Sequence, residues 1–485
     1  MTVGNDEFAG ASRVDEATVN TGGGIDRFAA LLDQRDIHVE FQPLVDLRSG
    51  EIVALEALAR GPRFTEFASP TQLFAAARQC GRVAELDWVC RAAAFDAFLQ
   101  ADLPPSLSLF INTEPEGFAP AGCPPDLAHL VAKAESVLRV FVEVNGQALG
   151  MDPAGVLAAV DRAREMSWGV AIDDIGGSRV PAAMLPIVQA DIVKLDLALL
   201  KEATPKDYAA TITSVLGHVE TTGATLLVEQ IESEADARWA RALGAVYGQG
   251  LHLGAPSPLC GVYPPPRMPV PLVKVASTDF HIGSPFALFA DRPQRRMENE
   301  LVDRLAAVIA NSPQSSNSWP VFLTGVGRDR QVIEGVLEES FGLPRPALLS
   351  VAFGVGMPGE PIPGVRGVRV GVHDPLADEK FLIVLSDQAT VALLARRAGD
   401  GMFDVVVTQN QEFVHGIAHH LIRRVPGLGS GNVALTPRSC PPDENEADDH
   451  IPTRRLSRSR RWRSNRWWQR AVVDAPRSPP TAPEM

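Results

Sequence analysis

The chain has 485 residues, 45% hydrophobic and 21% charged, the composition of a globular protein long enough for two or three domains. Its net charge of −14 argues against a general nucleic-acid binder, although the segment Arg454–Arg470 is rich in arginine and free of acids, so an acidic body precedes a basic tail. Five scattered cysteines without a C-x-x-C pair (Cys80, Cys90, Cys123, Cys260, Cys440) argue against a disulfide framework or a cysteine zinc site.

In chain order, residues 1–24 are polar, lack the basic and apolar regions of a signal peptide, and close on Thr21-Gly22-Gly23-Gly24. They predict a disordered lead-in. No apolar run reaches the ~18 residues of a membrane span, and a cytoplasmic location is the expectation. From 25 to 258, short β-rich runs alternate with helix-like stretches such as "PAGVLAAVDRAREMSW". Residues 259–272 form a Pro-rich segment expected to be a stiff linker. A second domain is expected over 273–426, and 427–485 reads as a disordered tail, first acidic and then basic.

The apolar runs of the first region repeatedly finish on polar residues. "HVEFQP" carries Gln42, "IVALEALAR" carries Glu56, Leu58 and Arg60, and "LSLFINTEP" reaches Asn112. "LRVFVEVNG" carries Glu143, "GVAIDDIGG" carries Asp173 and Asp174, and "DIVKLD" carries Lys194 and Asp196. "ATLLVEQIE" reaches Glu229 and "YGQGLHLGAP" supplies Gln249. Near-continuous apolar strands with helical crossovers imply a parallel sheet covered on both faces. Eight such units fit a (β/α)8 barrel, whose strand C-termini converge on one mouth; an open doubly wound sheet is the alternative.

Glu56, Asn112, Glu143, Asp173 and Glu229, with Asp174 beside them, offer oxygens suited to a hard divalent cation. Two such cations could clamp a phosphodiester and activate water, with Lys194 as a positive charge and Arg60 as a fork onto phosphate. Each residue also has a plain structural reading. Glu56 could sit on a surface helix of Ala, Leu and Glu, Asp173-Asp174 could form a turn, Asn112 could turn the chain before Pro115, and Lys194 could pair with Asp191 or Asp196.

The order FQP, EALxR, FIN, VEV, IDD, VKLD, VEQIE and YGQG resembles the EAL family of cyclic di-GMP phosphodiesterases over residues 25–258. The resemblance implies a modified TIM barrel with an antiparallel first strand, and hydrolysis of cyclic di-GMP to linear pGpG with Mg²⁺ or Mn²⁺ in a two-metal site. It implies Glu56, Asn112, Glu143, Asp173, Asp174 and Glu229 as metal ligands, and Glu56, Lys194 and Glu229 as catalytic. It further implies Gln42, Leu58, Arg60 and Gln249 at the substrate, and a homodimer through the loop after strand five.

Two departures stand out. Gly146 in "EVNG" replaces a glutamate that in the family anchors that loop, and the loop itself reads "DDIGGSRVPAAML", with Ile175, Gly176 and Gly177 in its first half. The alternative function is therefore a weak or inactive domain that binds cyclic di-GMP as an effector, or serves protein interaction. The second domain reads as α/β, and "DPLADEKFLIVLSDQATVALLARR" and "GMFDVVVTQNQEFV" resemble the DICT sensory domain, whose signal the sequence does not identify. His415 and His419 fall on one helix face, where packing is favoured over metal binding. Trp462, Trp467 and Trp468 among the tail arginines suit an anionic membrane surface or single-stranded nucleic acid, though an extension without such a role is favoured.

Overall fold

Eight short β-strands close into a barrel in a computed structural model that describes residues 21–114, 117, 123–176, 182–273, 283–311, 319–328, 347–386 and 390–427. The strands are β1 (His38–Asp46), β2 (Ile52–Arg60), β3 (Ser108–Asn112), β4 (Arg139–Asn145), β5 (Gly169–Ile175), β6 (Ile192–Asp196), β7 (Thr225–Glu229) and β8 (Tyr247–Gly248). β1 runs antiparallel to both β2 and β8, with Gln42 opposite Glu56, and the other neighbours are parallel. "IVALEALAR" is thus a strand, and the surface-helix reading of Glu56 does not hold: the residues around it are buried on both faces, which parallel neighbours covered by helices require.

The helices are α1 (Thr21–Gln34), α2 (Pro70–Cys80), α3 (Val83–Gln100), α4 (Ala128–Val137), α5 (Ala148–Met151), α6 (Pro153–Glu165), α7 (Leu185–Val188), α8 (Leu197–Glu202), α9 (Pro205–Thr222) and α10 (Glu234–Ala242). Their starts are written locally. Asp152 accepts from Gly155 N ahead of Pro153, and Thr204 accepts from Asp207 N ahead of Pro205. Asp196 caps α8 through Leu199 N at 2.8 Å, so its carboxylate serves the helix start and not Lys194. Thr21–Gly24, assigned above to the lead-in, belong to α1, which is anchored by the burial of Phe28, Leu31 and Leu32. Residues 1–20 lie outside the described residues.

Side chains pointing into the barrel recur every second residue. One layer contains Leu44, Ala54, Phe110, Phe141, Ala171, Ile192, Leu227 and Tyr247, with Phe110 and Phe141 stacked at 4.7 Å between centroids. Moving two residues along each strand toward the mouth gives Gln42, Glu56, Asn112, Glu143, Asp173, Lys194, Glu229 and Gln249. The apolar floor and the polar site are consecutive layers of one pleat.

The floor is completed from outside the barrel. Val270, in the segment expected to be a stiff linker, is fully buried in this layer. Arg139 donates to Val270 O, and Val273 N donates to Asp191 Oδ1 at 2.6 Å. Asp191 also binds Arg164 at 2.6 Å and Val170 N at 2.7 Å, so it is occupied away from Lys194. The Pro-rich segment is a strap across the barrel base.

Beyond it lies a seven-stranded mixed sheet in the order β12-β11-β10-β13-β14-β15-β9. Its strands are β9 (Arg295–Glu298), β10 (Val321–Gly327), β11 (Leu349–Val355), β12 (Arg366–Val370), β13 (Glu379–Leu385), β14 (Thr390–Gly399) and β15 (Met402–Thr408). α11 (Asn299–Ala310) covers one face. The other face packs with α12 (Gln411–Ile422) into the same hydrophobic core as the barrel helices. His415 and His419 lie on α12 as expected, and burial holds the His415 imidazole below its usual pKa. No described helix is long and apolar enough to cross a membrane. Residues 428–485, with the Arg/Trp-rich stretch, lie outside the described residues.

Candidate active site

Lys194 stands at the centre of the mouth layer, fully buried on β6, and four carboxylates surround its ammonium. Its Nζ lies 2.6 Å from Glu143 Oε1, 2.7 Å from Glu229 Oε1, 3.4 Å from Asp173 Oδ1 and 3.5 Å from Glu56 Oε2. Five residues far apart in sequence meet because their strands carry them at the same level of the pleat. The open question about Lys194 is answered: its partners are the strand-end acids, since Asp191 and Asp196 are held elsewhere.

One cation does not balance four carboxylates. Burial, then the charge of Glu56, push the Glu143 carboxyl well above the usual range, against the opposing pull of Lys194. Burial and the charge of Asp173 do the same to Glu229. Burial works against the Lys194 ammonium, but the surrounding acids outweigh it and hold its pKa well above the usual value. Asp173 is also penalised by burial, yet Lys194 and its hydrogen-bonding neighbours bring it below the usual range. The titrations of these crowded groups are linked through Lys194.

Neutral donors orient the rim. Asn112 Nδ2 donates to Glu56 Oε1 at 2.8 Å, and Gln249 Nε2 donates to Glu56 Oε2 at 2.5 Å and to Gln42 Oε1 at 3.2 Å. Gln42 in turn donates to Gly254 O at 3.1 Å. Gln42 and Gln249 therefore brace Glu56. Arg60 is turned to Glu40 at 3.0 Å and to its neighbour's carbonyl, Ala59 O, so its Nε is engaged on the β1–β2 ribbon. Leu58 lines the adjoining cavity.

Asp174 adopts a left-handed backbone (φ 58°), unusual outside glycine and a mark of local constraint. It is held by Asn145 Nδ2, while Asp174 N donates to Asp173 Oδ1 at 2.8 Å. Asn145 Oδ1 also accepts from Gln147 N at 2.7 Å, and Gly146 N donates to Asp173 O at 2.9 Å. Ile175 is fully buried, and a Cβ at Gly176 would come within 2.6 Å of Asp196 O. Gly177 lies outside the described residues.

Asn145, which holds Asp174 at the mouth, is a residue that the sequence reading passed over. Its signal was present, a polar strand end two residues beyond Glu143 in the pattern that marked the others. Asp87 and Arg91 were passed over too. They form a buried i,i+4 ion pair on α3, visible as opposite charges inside "ELDWVCRAAAF", and both line a cavity of about 460 Å³ together with Glu56, Leu58, Asn112, Glu143, Asp173 and Asp174.

The donor set fits a divalent cation. One carboxylate oxygen from each of Asp173, Asp174 and Glu229 lies within 4.8 Å of the others. Neither oxygen of the buried Glu143 carboxylate makes a hydrogen bond of good geometry, even though Lys194 is close enough for Coulomb attraction. Oxygens that are crowded, anionic and short of donors are what Mg²⁺ or Mn²⁺ binds.

The sequence model of the EAL domain matches residues 26–256. The uncharacterized protein y4lL of Sinorhizobium fredii is 26% identical over 231 residues, 47% of this chain and 28% of that protein. The probable cyclic di-GMP phosphodiesterase PdeB of Escherichia coli is 25% identical over 229 residues, 46% of this chain and 43% of its own length. This chain thus spans less than half of either relative. A solved structure described as the PaMucR phosphodiesterase with c-di-GMP superposes with a TM-score of 0.42 at 22% identity, over 49% of this chain and 98% of that one. Residues 26–256 thus carry both the match to the EAL domain and the similarity to a probable cyclic di-GMP phosphodiesterase.

Proposed function

We propose that the barrel hydrolyses cyclic di-GMP to linear pGpG with Mg²⁺ or Mn²⁺. The observation that carries this reading is the buried ring of Glu56, Glu143, Asp173 and Glu229 around Lys194, of which Glu56, Glu143 and Asp173 line a cavity of about 460 Å³. Glu56, Asn112, Glu143, Asp173, Asp174 and Glu229 would hold the metal, which when bound supplies Lewis acidity to the phosphate and to water.

The chain's own groups do the rest. Lys194 puts a fixed positive charge against the anionic phosphate in a site shielded from bulk water. Gln249, Gln42 and Asn112 fix the Glu56 carboxylate, and Leu58 offers an apolar wall to a base or ribose. In the net reaction the water oxygen bonds to phosphorus and the P–O3′ bond breaks. The proton lost by water is matched by one gained at O3′, with the Lys194 ammonium beside the reacting phosphate.

A second reading, that the domain binds cyclic di-GMP without turnover, is favoured by one observation. Asn145 occupies Asp174, and Gly146 stands where the resembled family has an anchoring glutamate. In either reading the sheet acts as a DICT-like sensory unit in cytoplasmic second-messenger signalling. Self-association through the barrel would be tested by sedimentation.

Incubating the protein with cyclic di-GMP and Mn²⁺ or Mg²⁺, with chromatography of products, separates the readings. Hydrolysis predicts pGpG from wild type and a loss of at least about 100-fold in Glu56→Ala, a typical loss for a group acting in the transition state. Tight binding without product would overturn the enzyme reading. Gly146→Glu should raise turnover if loop anchoring limits the rate.

A further inference from the structure

Arg366, the first residue of β12, belongs to the sheet but reaches the barrel. Its guanidinium donates to Met151 O at 2.8 Å and to Gly150 O, the closing carbonyls of α5. Terminal helix carbonyls lack partners of their own, and a guanidinium is well shaped to satisfy two at once. Burial depresses the Arg366 pKa, with Asp152 opposing, so this cation has been taken out of water to make the contact. The approach is close on a second count: a Cβ at Gly150 would lie 3.3 Å from Leu348 Cδ1, just before β11.

α5 follows the end of β4 almost directly. At its N-cap, Gln147 N donates to Asn145 Oδ1, Asn145 Nδ2 donates to Asp174, and Gly146 N donates to Asp173 O. A continuous run of hydrogen bonds and one short helix therefore joins the sheet to two acids of the mouth. A second contact of the same interface pairs Arg423 with Asp161, farther along the chain on α6. We propose that Arg366 is a positioning residue: by clamping α5 it sets Asn145, and through Asn145 the Asp173–Asp174 pair, so that the sheet adjusts the barrel's site. This rests on the reading of those acids as metal ligands only for its functional consequence; the positioning itself is independent of metal.

The full chain, metal-free, is compared by hydrogen exchange as wild type, Arg366→Ala, Arg366→Lys, Gly150→Leu and Arg423→Ala. Arg366→Ala and Gly150→Leu should speed exchange by about tenfold or more both in 143–151 and in 170–176, with partial recovery in Arg366→Lys. Arg423→Ala should leave 170–176 at wild-type rates. Faster exchange in α5 alone, or an equal effect from Arg423→Ala, would overturn the proposal. Mn²⁺ titration then reads the consequence: Arg366→Ala should weaken binding by about five- to tenfold, and less in an Asn145→Ala background, because coupled sites are non-additive. A wild type that binds no Mn²⁺ would sink the metal reading, while the exchange result would still decide the positioning.

Discussion

Lys194 is the residue on which the mouth layer depends. Removing one partner of a buried charge cluster leaves the others uncompensated, at a cost of about 3–5 kcal/mol. Lys194→Met should destabilise the metal-free protein by that amount in urea melts with a chelator. Added Mn²⁺ should restore part of it, since a ligand that binds only the folded state stabilises it. A loss that Mn²⁺ leaves untouched would count against the acids as metal ligands. Glu56, Glu143, Asp173 and Glu229 were legible as a set because each is a polar strand end. The partners of Arg60, Gln42 and Gln249 were not legible: which oxygen a long side chain meets depends on β1 lying antiparallel across β2, with Gln42 opposite Glu56.

At the scale of elements, the two-residue pleat is the device that positions the site. An inward apolar residue followed two positions later by an inward polar one turns eight strands into a floor and a mouth. The strap is part of that floor. Val270→Ala should cost about 2 kcal/mol by emptying a fully buried site, and Val270→Asp considerably more. Thermal melts of both variants check this, and an unchanged melting temperature in Val270→Asp would show that the strap does not seal the base. The Pro-rich composition of 259–272 carried the expectation of a stiff linker. It could not show docking, because one valine among prolines becomes a core residue only when a barrel floor with a matching gap lies above it.

At the scale of the whole molecule, barrel and sheet share one core, and α12 lies at the seam against α6 and α7. His218 on α9 is buried there, its pKa lowered to about 4 by burial first and by His415 second. An unfolded histidine takes up its proton near pH 6.5, so the native state binds fewer protons between these values. Stability is complete above about pH 6.5 and falls as pH drops toward 4, by up to about 3 kcal/mol from this group. His218→Leu should flatten that limb of a stability–pH curve; an unchanged slope would exclude His218 as its source.

The sequence alone determined the barrel and its acidic mouth, because alternation, strand-end polarity and helix caps act over a few residues and are written locally. The sheet was legible only as α/β alternation, and its β12-β11-β10-β13-β14-β15-β9 order was not, since that order joins strands distant in the chain. Only the tertiary structure brought Asn145 to Asp174, Val270 to the floor and Arg366 to α5. Each of these contacts pairs segments whose local patterns do not refer to one another, and it is the packing of elements that decides their meeting.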